Sequence, residues 1–289
     1  MIIYQAIDDA EIVKHFYEKF QGRIKLNVLI SYVYLPGNAL KVTKTYRHMI
    51  ENLCLDSGAY SVFTKRADIS VTEYLAYIKR YGNLFNTVFT LDDRFDDPEH
   101  NLRNQTFLED GLQGKNWKPV PCIHDAADPI GEIQTYVDQG HTYIALGSLG
   151  IKQKIDASVL DQTKEKFPNV DFHLFGSLNR GTLLKYRPYS ADASSWAKET
   201  AQGIIYYWDD IDQKEYQIYL ESRIQREKKN SGKVASYSDF HHKEQLNAFL
   251  WDTFGYIYED LLSTSNPSYI INLHYLHQLQ ERINNTPES

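Results

Sequence analysis

Three short apolar runs each deliver an aspartate: CLD ends at Asp56, FTLDD at Asp92 and Asp93, and YSADASSW holds Asp192. A carboxylate at the end of a strand can move a proton, bond to an electron-poor carbon or accept N–H groups. One such acid is unremarkable, because Asp is a favoured N-cap for the helix that follows; Asp93 reads best that way, as a cap or loop residue. Three carboxylates from three strands are harder to explain as caps, since like charges at close range cost stability unless a substrate, cation or proton resolves them. Small residues directly follow the first of these runs, as Ser57–Gly58–Ala59, and the separate run YIAL, as Gly147–Ser148–Leu149–Gly150. They let backbone approach a ligand and offer amide donors, or simply allow tight strand–helix packing. No Gly-Lys-Ser/Thr follows either glycine run, so these are not P-loops. His124 ends PVPCIH and His173 lies inside DFHLFGS. Each reads as a hydrogen-bonded structural imidazole before it reads as a metal ligand, and the pair His241–His242 reads as surface decoration.

Such acids can meet only if the elements carrying them share one end of a sheet. β-rich runs recur at 27–35, 54–60, 86–93, 118–126, 143–149, 171–177, 189–195 and 203–208. Most are nearly continuous in apolar residues, which suits strands covered on both faces in a parallel sheet. Helical stretches fill the gaps at 71–82, 97–111, 128–140 and 157–168, punctuated by Asp–Pro starts and glycine stops. Strand–helix alternation over residues 1–208 predicts an α/β fold, a (β/α)₈ TIM-type barrel, in which the C-terminal strand ends build the site. From 209 to 289 the chain changes character. A polar stretch precedes helical runs at 243–263 and 266–285, read as a helical extension packed on the barrel. Arg223, Arg226, Lys228, Lys229 and Lys233, with Lys214 nearby, form either a solvated turn or a phosphate-contacting patch.

Composition narrows the function classes. The 289 residues carry 31 Lys and Arg against 38 Asp and Glu, a formal charge of −7, which argues against wholesale coating of nucleic acid but leaves a local basic face open. No apolar run approaches the roughly 20 residues a membrane span needs, and no secretory signal is apparent, so a cytoplasmic protein is expected. The two cysteines, Cys54 and Cys122, exclude a disulfide scaffold and a cysteine-rich zinc domain and read as inert core thiols.

In order and spacing, LDSGAYSVF, TLDD, VPCIHDA, IALGSLG and HLFGSLNRGTLLKYRPYSADASSW resemble the tRNA-guanine transglycosylase superfamily. The likeness spans roughly residues 27 to 200 and is strongest to the small phage- and prophage-type relatives of queuine tRNA-ribosyltransferase. It implies a (β/α)₈ enzyme that exchanges guanine for a 7-deazaguanine base through a covalent ribosyl–aspartate intermediate. Carried over by motif, Asp192 is the nucleophile and Asp56 the proton-transfer and positioning acid. Asp92 reads the edge of the base, with Ser57, Gly58, His124, Gly147, Ser148 and His173 completing the substrate-binding set. Tyr60, Phe63 and Trp196 are candidates to stack on a flat base or to seal the core.

The chemistry is coherent in its own right. Breaking an N-glycosidic bond builds positive charge on the sugar, which one carboxylate can capture while a second moves protons on the base. The chain departs from the tRNA-acting members in lacking their Cys₃His zinc module. No metal or cofactor is therefore expected, and DNA, another nucleic acid or a free nucleoside or nucleotide stands beside tRNA as carrier of the target. Two rivals stay open: a nucleosidase in which water completes the reaction, and a non-catalytic barrel that binds a nucleobase or nucleic acid. The resemblance leaves the oligomeric state open.

Overall fold

The computed structural model describes residues 1–7, 9–34, 38–59, 69–147, 155–220 and 234–287. Eight parallel strands form its main sheet: β1 Ile2–Ala6, β2 Leu26–Ser31, β3 Ile50–Asp56, β4 Thr87–Val88, β5 Cys122–Ile123, β6 Tyr143–Leu146, β7 Asp171–Leu174 and β8 Ser190–Ala193. They pair in the order β4-β3-β2-β1-β8-β7-β6-β5. The two ends of that row meet. Val120 N donates to Val88 O at 2.8 Å and Thr90 N to Val120 O at 2.9 Å, with Phe89 and Val120 bridged in parallel. The sheet is thus a closed (β/α)₈ barrel.

Four of the seven helices between the strands start within a residue of where the sequence punctuation put them. Between the strands lie α1 Ala10–Lys19, α2 Asn38–Lys44, α3 Val71–Tyr81, α4 Pro98–Gly111, α5 Pro129–Asp138, α6 Ala157–Lys166 and α7 Arg180–Tyr186. Asp97 accepts from His100 N and Asp128 from Gly131 N, both at 2.9 Å, with a proline in the first turn of each helix. Each such cap is worth about 1 kcal/mol.

Two expectations need correcting. The barrel begins at Ile2, where the sequence reading had no strand, and residues 203–208 are not its eighth strand. That run is β9, Ile204–Asp209, preceded by α8, Ser195–Ala201. It pairs antiparallel with β10, Lys214–Tyr219, which runs parallel to β11, Val234–Ser236. The region beyond the barrel is therefore a three-stranded sheet with helices, not helices alone. The helices are α9 Lys243–Phe254, α10 Tyr258–Ser263 and α11 Asn266–Asn285. The run IIYYW is apolar on both faces because α8 and α11 pack against it, which gives it the same pattern as a barrel strand.

Helix α11 closes the bottom of the barrel. Gln280 Oε1 accepts from Ile3 N at 2.7 Å and from Asn27 Nδ2 at 2.9 Å, at the starts of β1 and β2. The opposite, C-terminal end is left for a site. Among the described residues no helix is long and apolar enough to cross a membrane.

Candidate active site at the C-terminal end of the barrel

Side chains alternate along a strand, so every second residue points inward. One interior layer consists of Tyr4, Leu29, Cys54, Phe89, Val120, Cys122 and Ala145, all buried together, with the His173 ring 4.7 Å from that of Phe89. Two residues further along their strands come Ala6, Ser31, Asp56, His124, Gly147 and Phe175, and Asp192 stands two beyond buried Ser190. These residues line a cavity of about 620 Å³. The site is the next inward layer above the core.

Asp56, Asp92 and Asp192 all line this one cavity, but their surroundings differ. Asp56 Oδ2 accepts from Gly58 N at 3.0 Å. Burial, then the charges of Asp92 and Asp192, push its carboxyl up to about 8, so Asp56 holds a proton at neutral pH. Asp92 is the opposite case. Burial alone would raise it, but His124 Nε2 at 2.8 Å and the Ser57 hydroxyl, donating to Oδ1 at 3.0 Å, carry it below the usual carboxylate range. The His124 ring packs against Phe95, 4.5 Å away, and its backbone is held by Glu132, which accepts from His124 N and Asp125 N at 2.7 Å.

Asp192 is held on one oxygen. Its Oδ1 accepts from Gly176 N at 3.1 Å and faces His173 Nε2 at 3.3 Å, while Oδ2 takes no hydrogen bond among the described residues. His173 Nδ1 lies 2.6 Å from Ser190 Oγ, and Ser190 Oγ lies 2.7 Å from the Tyr143 hydroxyl. A carboxylate can only accept, so His173 donates from Nε2 and accepts at Nδ1. Ser190 then accepts from Tyr143, whose phenol burial keeps protonated. A hydrogen-bonded chain of three residues, His173, Ser190 and Tyr143, backs the nucleophile candidate.

Not every expected substrate contact faces the cavity. His124 and Gly147 do; a Cβ at Gly147 would stand 3.0 Å from both Cys122 Sγ and His124 Cε1, so glycine is what lets the strand end lie against them. Ser57, Gly58 and His173 do not line the cavity. They are corrected from substrate-binding to carboxylate-positioning residues: Ser57 is fully buried against Asp92, and His173 is fully buried behind Asp192. Gly58 takes φ +85°, open to glycine, which turns its amide onto Asp56. Trp196 is 2 % exposed and packs edge-on to Tyr269 at 5.9 Å, a core residue and not a stacking platform. Asp93 accepts from Asn104 Nδ2 at 2.9 Å and meets His100 Nε2 at 3.0 Å, the loop role expected of it. Ser148, Tyr60, Phe63 and the basic run at 223–233 lie outside the described residues.

The sequence reading missed Ser31, Phe95, Phe175 and Gly176, all lining the cavity, together with the supports Ser190 and Tyr143. Counting two residues onward from each inward core residue finds Ser31 and Phe175. A second hollow of about 620 Å³ opens at the N-terminal strand ends, lined by Asn83, Asn86, Trp117 and His141 among others, with no acid in its wall among the described residues.

Two groups of side chains among the described residues bring metal-ligating atoms within 4.8 Å of one another: Asp92, Cys122 and His124 inside the barrel, and Asp212, His241 and His242 outside it. In the first, burial keeps the Cys122 thiol protonated, and a thiol is a poor ligand until it loses its proton.

Comparison with solved structures places the architecture. The chain matches the crystal structure of a protein from Coccidioides immitis assigned as a fructose-1,6-biphosphate aldolase, with a TM-score of 0.54 and 11% identity over 99% of this chain and 93% of that one. At that identity the likeness establishes the barrel fold alone. No family model and no curated protein matches the chain.

Proposed function

We propose that the protein is a transglycosylase-like enzyme that exchanges or cleaves the N-glycosidic bond of a guanine or 7-deazaguanine nucleoside unit, with Asp192 as nucleophile. The observation that carries this reading is the divergence of three carboxylates around one cavity. Asp56 is pushed up to about 8, Asp92 is held ionised by His124 and Ser57, and Asp192 leaves one oxygen without a hydrogen bond among the described residues. Carboxyls driven apart by their environments mark separate acid and anion roles.

In this reading Asp192 Oδ2 attacks the anomeric carbon as the bond to the base nitrogen breaks, giving a glycosyl–aspartate ester. Protonated Asp56 supplies the proton that the departing base needs. Asp92 accepts N–H groups of the base edge, and Phe95 and Phe175 offer apolar faces to a flat ring. An incoming base, or water, then attacks the anomeric carbon, Asp192 leaves as its carboxylate, and the proton shed by the attacking nitrogen or water returns to Asp56.

The test is to incubate the protein with tRNA, duplex DNA, single-stranded DNA and nucleosides in the presence of radiolabelled guanine. Label entering one of them supports exchange and identifies the carrier. Release of free base without incorporation would replace exchange by hydrolysis. Neither, with base binding retained, would reduce the protein to a binding module.

A further inference from the structure

Outside the barrel, two histidines next to each other in the chain meet two aspartates from the turn between β9 and β10. Asp209 ends β9, Asp212 lies in that turn, and His241 and His242 immediately precede α9. His241 Nε2 lies 2.8 Å from Asp212 Oδ2, and His242 Nδ1 lies 2.7 Å from Asp209 Oδ2 and 3.9 Å from Asp212 Oδ2. We propose that His241, His242 and Asp212, whose ligating atoms all lie within 4.8 Å of one another, form a structural site, backed by Asp209, for one divalent transition-metal ion of the zinc type, which clips the β9–β10 turn to the start of α9.

The donor set is two imidazole nitrogens and one carboxylate oxygen, with a fourth position for water, which suits Zn²⁺ and its neighbours Co²⁺ and Ni²⁺. Ligand bonds of 2.0–2.2 Å on a tetrahedron separate donor atoms by roughly 3.3 Å. Asp212 Oδ2 stands 2.8 Å from His241 Nε2 and 3.9 Å from His242 Nδ1, on either side of that value, and the three donors all lie within 4.8 Å of one another, so modest side-chain adjustments let them close on one ion. The charge fits as well: two carboxylates face two imidazoles, and one divalent ion neutralises the pair.

The site is also supported from behind, as metal sites are. Asp209 is 1 % exposed, and its Oδ1 accepts from Ile211 N at 2.8 Å and Asp212 N at 3.0 Å, which aims Oδ2 at His242. The Tyr216 hydroxyl donates to Asp212 Oδ2 at 2.5 Å, and the Phe240 ring packs 5.1 Å from His241. His242 occupies the N-cap of α9 without capping it through its side chain, because its Nδ1 is turned to the acids.

The test is calorimetric titration of the untagged, chelator-stripped full chain with Zn²⁺ and Co²⁺. One ion per chain is expected, with a cobalt spectrum of nitrogen–oxygen type that lacks a thiolate charge-transfer band, and with a rise in melting temperature. The H241A/H242A double variant should lose the ion and the rise. Since His242 sits at a helix start, Asp212→Asn and His241→Ala are made separately, each expected to weaken binding about 10–100-fold, the range for disturbed metal shells. Absence of saturable binding in the wild type, undiminished binding in these variants, or loss of binding only on Cys122→Ser would overturn the proposal.

Discussion

The barrel end and the β9–β10 turn both gather aspartates and histidines, yet they treat their acids in opposite ways. At the turn, Asp212 is held below its usual range by hydrogen bonds from Tyr216 and His241, and each acid has an imidazole opposite it. Inside the barrel, Asp92 has His124, but Asp56 has, among the described residues, the backbone amides of Ser57 and Gly58 and two other carboxylates, and it rises to about 8. Pairing every acid with an imidazole builds a ligand set. Leaving one acid unpaired among charged neighbours in a buried cavity stores a proton where a departing group can take it.

The largest expected effect comes from removing the anionic oxygen of the proposed nucleophile. Asp192→Asn keeps the shape and the Gly176 hydrogen bond, so equilibrium base binding should persist while exchange falls by several orders of magnitude. Near-normal exchange in this variant would detach Asp192 from the chemistry. Next comes Asp56→Asn, expected to cost about 10²–10⁴-fold in exchange rate. In the wild type the rate should fall as pH rises through about 8, where Asp56 loses its proton, and this limb should be absent from the variant's pH–rate profile.

A smaller effect is expected behind the nucleophile. His173→Phe removes the donor at 3.3 Å from Asp192 and strands the Ser190 hydroxyl, a change of about 1–3 kcal/mol. Expressed in kcat, that is roughly five- to a hundredfold, with the KM for the base unchanged, and His173→Gln should recover part of it. A change in base affinity instead would make His173 a substrate contact after all.

The last expected effect is on stability rather than rate. A carboxyl raised in the folded state binds a proton that the unfolded chain has already released between about pH 4 and 8, so the wild type should lose stability as pH rises through that window. Denaturant unfolding of Asp56→Asn should show a flatter pH dependence there. A parallel slope in both proteins would mean that Asp56 is not the group responsible.

Much of the site was legible because strand alternation is local. Cys54 and Asp56, Cys122 and His124, and Ser190 and Asp192 repeat one spacing, a small buried inward residue followed two positions later by a polar one that faces the cavity. The eight-strand count was legible too, but with the wrong membership. IIYQA at residues 2–6 has no glycine or acid to mark it, whereas IIYYW looks like a barrel strand although its cover is α8 and α11. The partner strand KEYQIY does alternate, burying Tyr216 and Ile218, but its charged neighbours masked the period.

What no local pattern could supply is long-range pairing. His242 and Asp209 are 33 residues apart, and His173 and Ser190 are 17. Only the folded chain makes a decorated surface into a ligand set, or a supposed substrate contact into the support of a carboxylate.

The most direct measurement for the account is the position of the sugar during turnover. Wild-type protein is incubated with the carrier that accepts labelled guanine, the incoming base is withheld, and the denatured protein is digested and mapped by mass spectrometry. The account predicts one pentosyl adduct, on the peptide containing Asp192, absent from Asp192→Asn. An adduct on Asp56, or steady exchange with no adduct on any carboxylate, would contradict it.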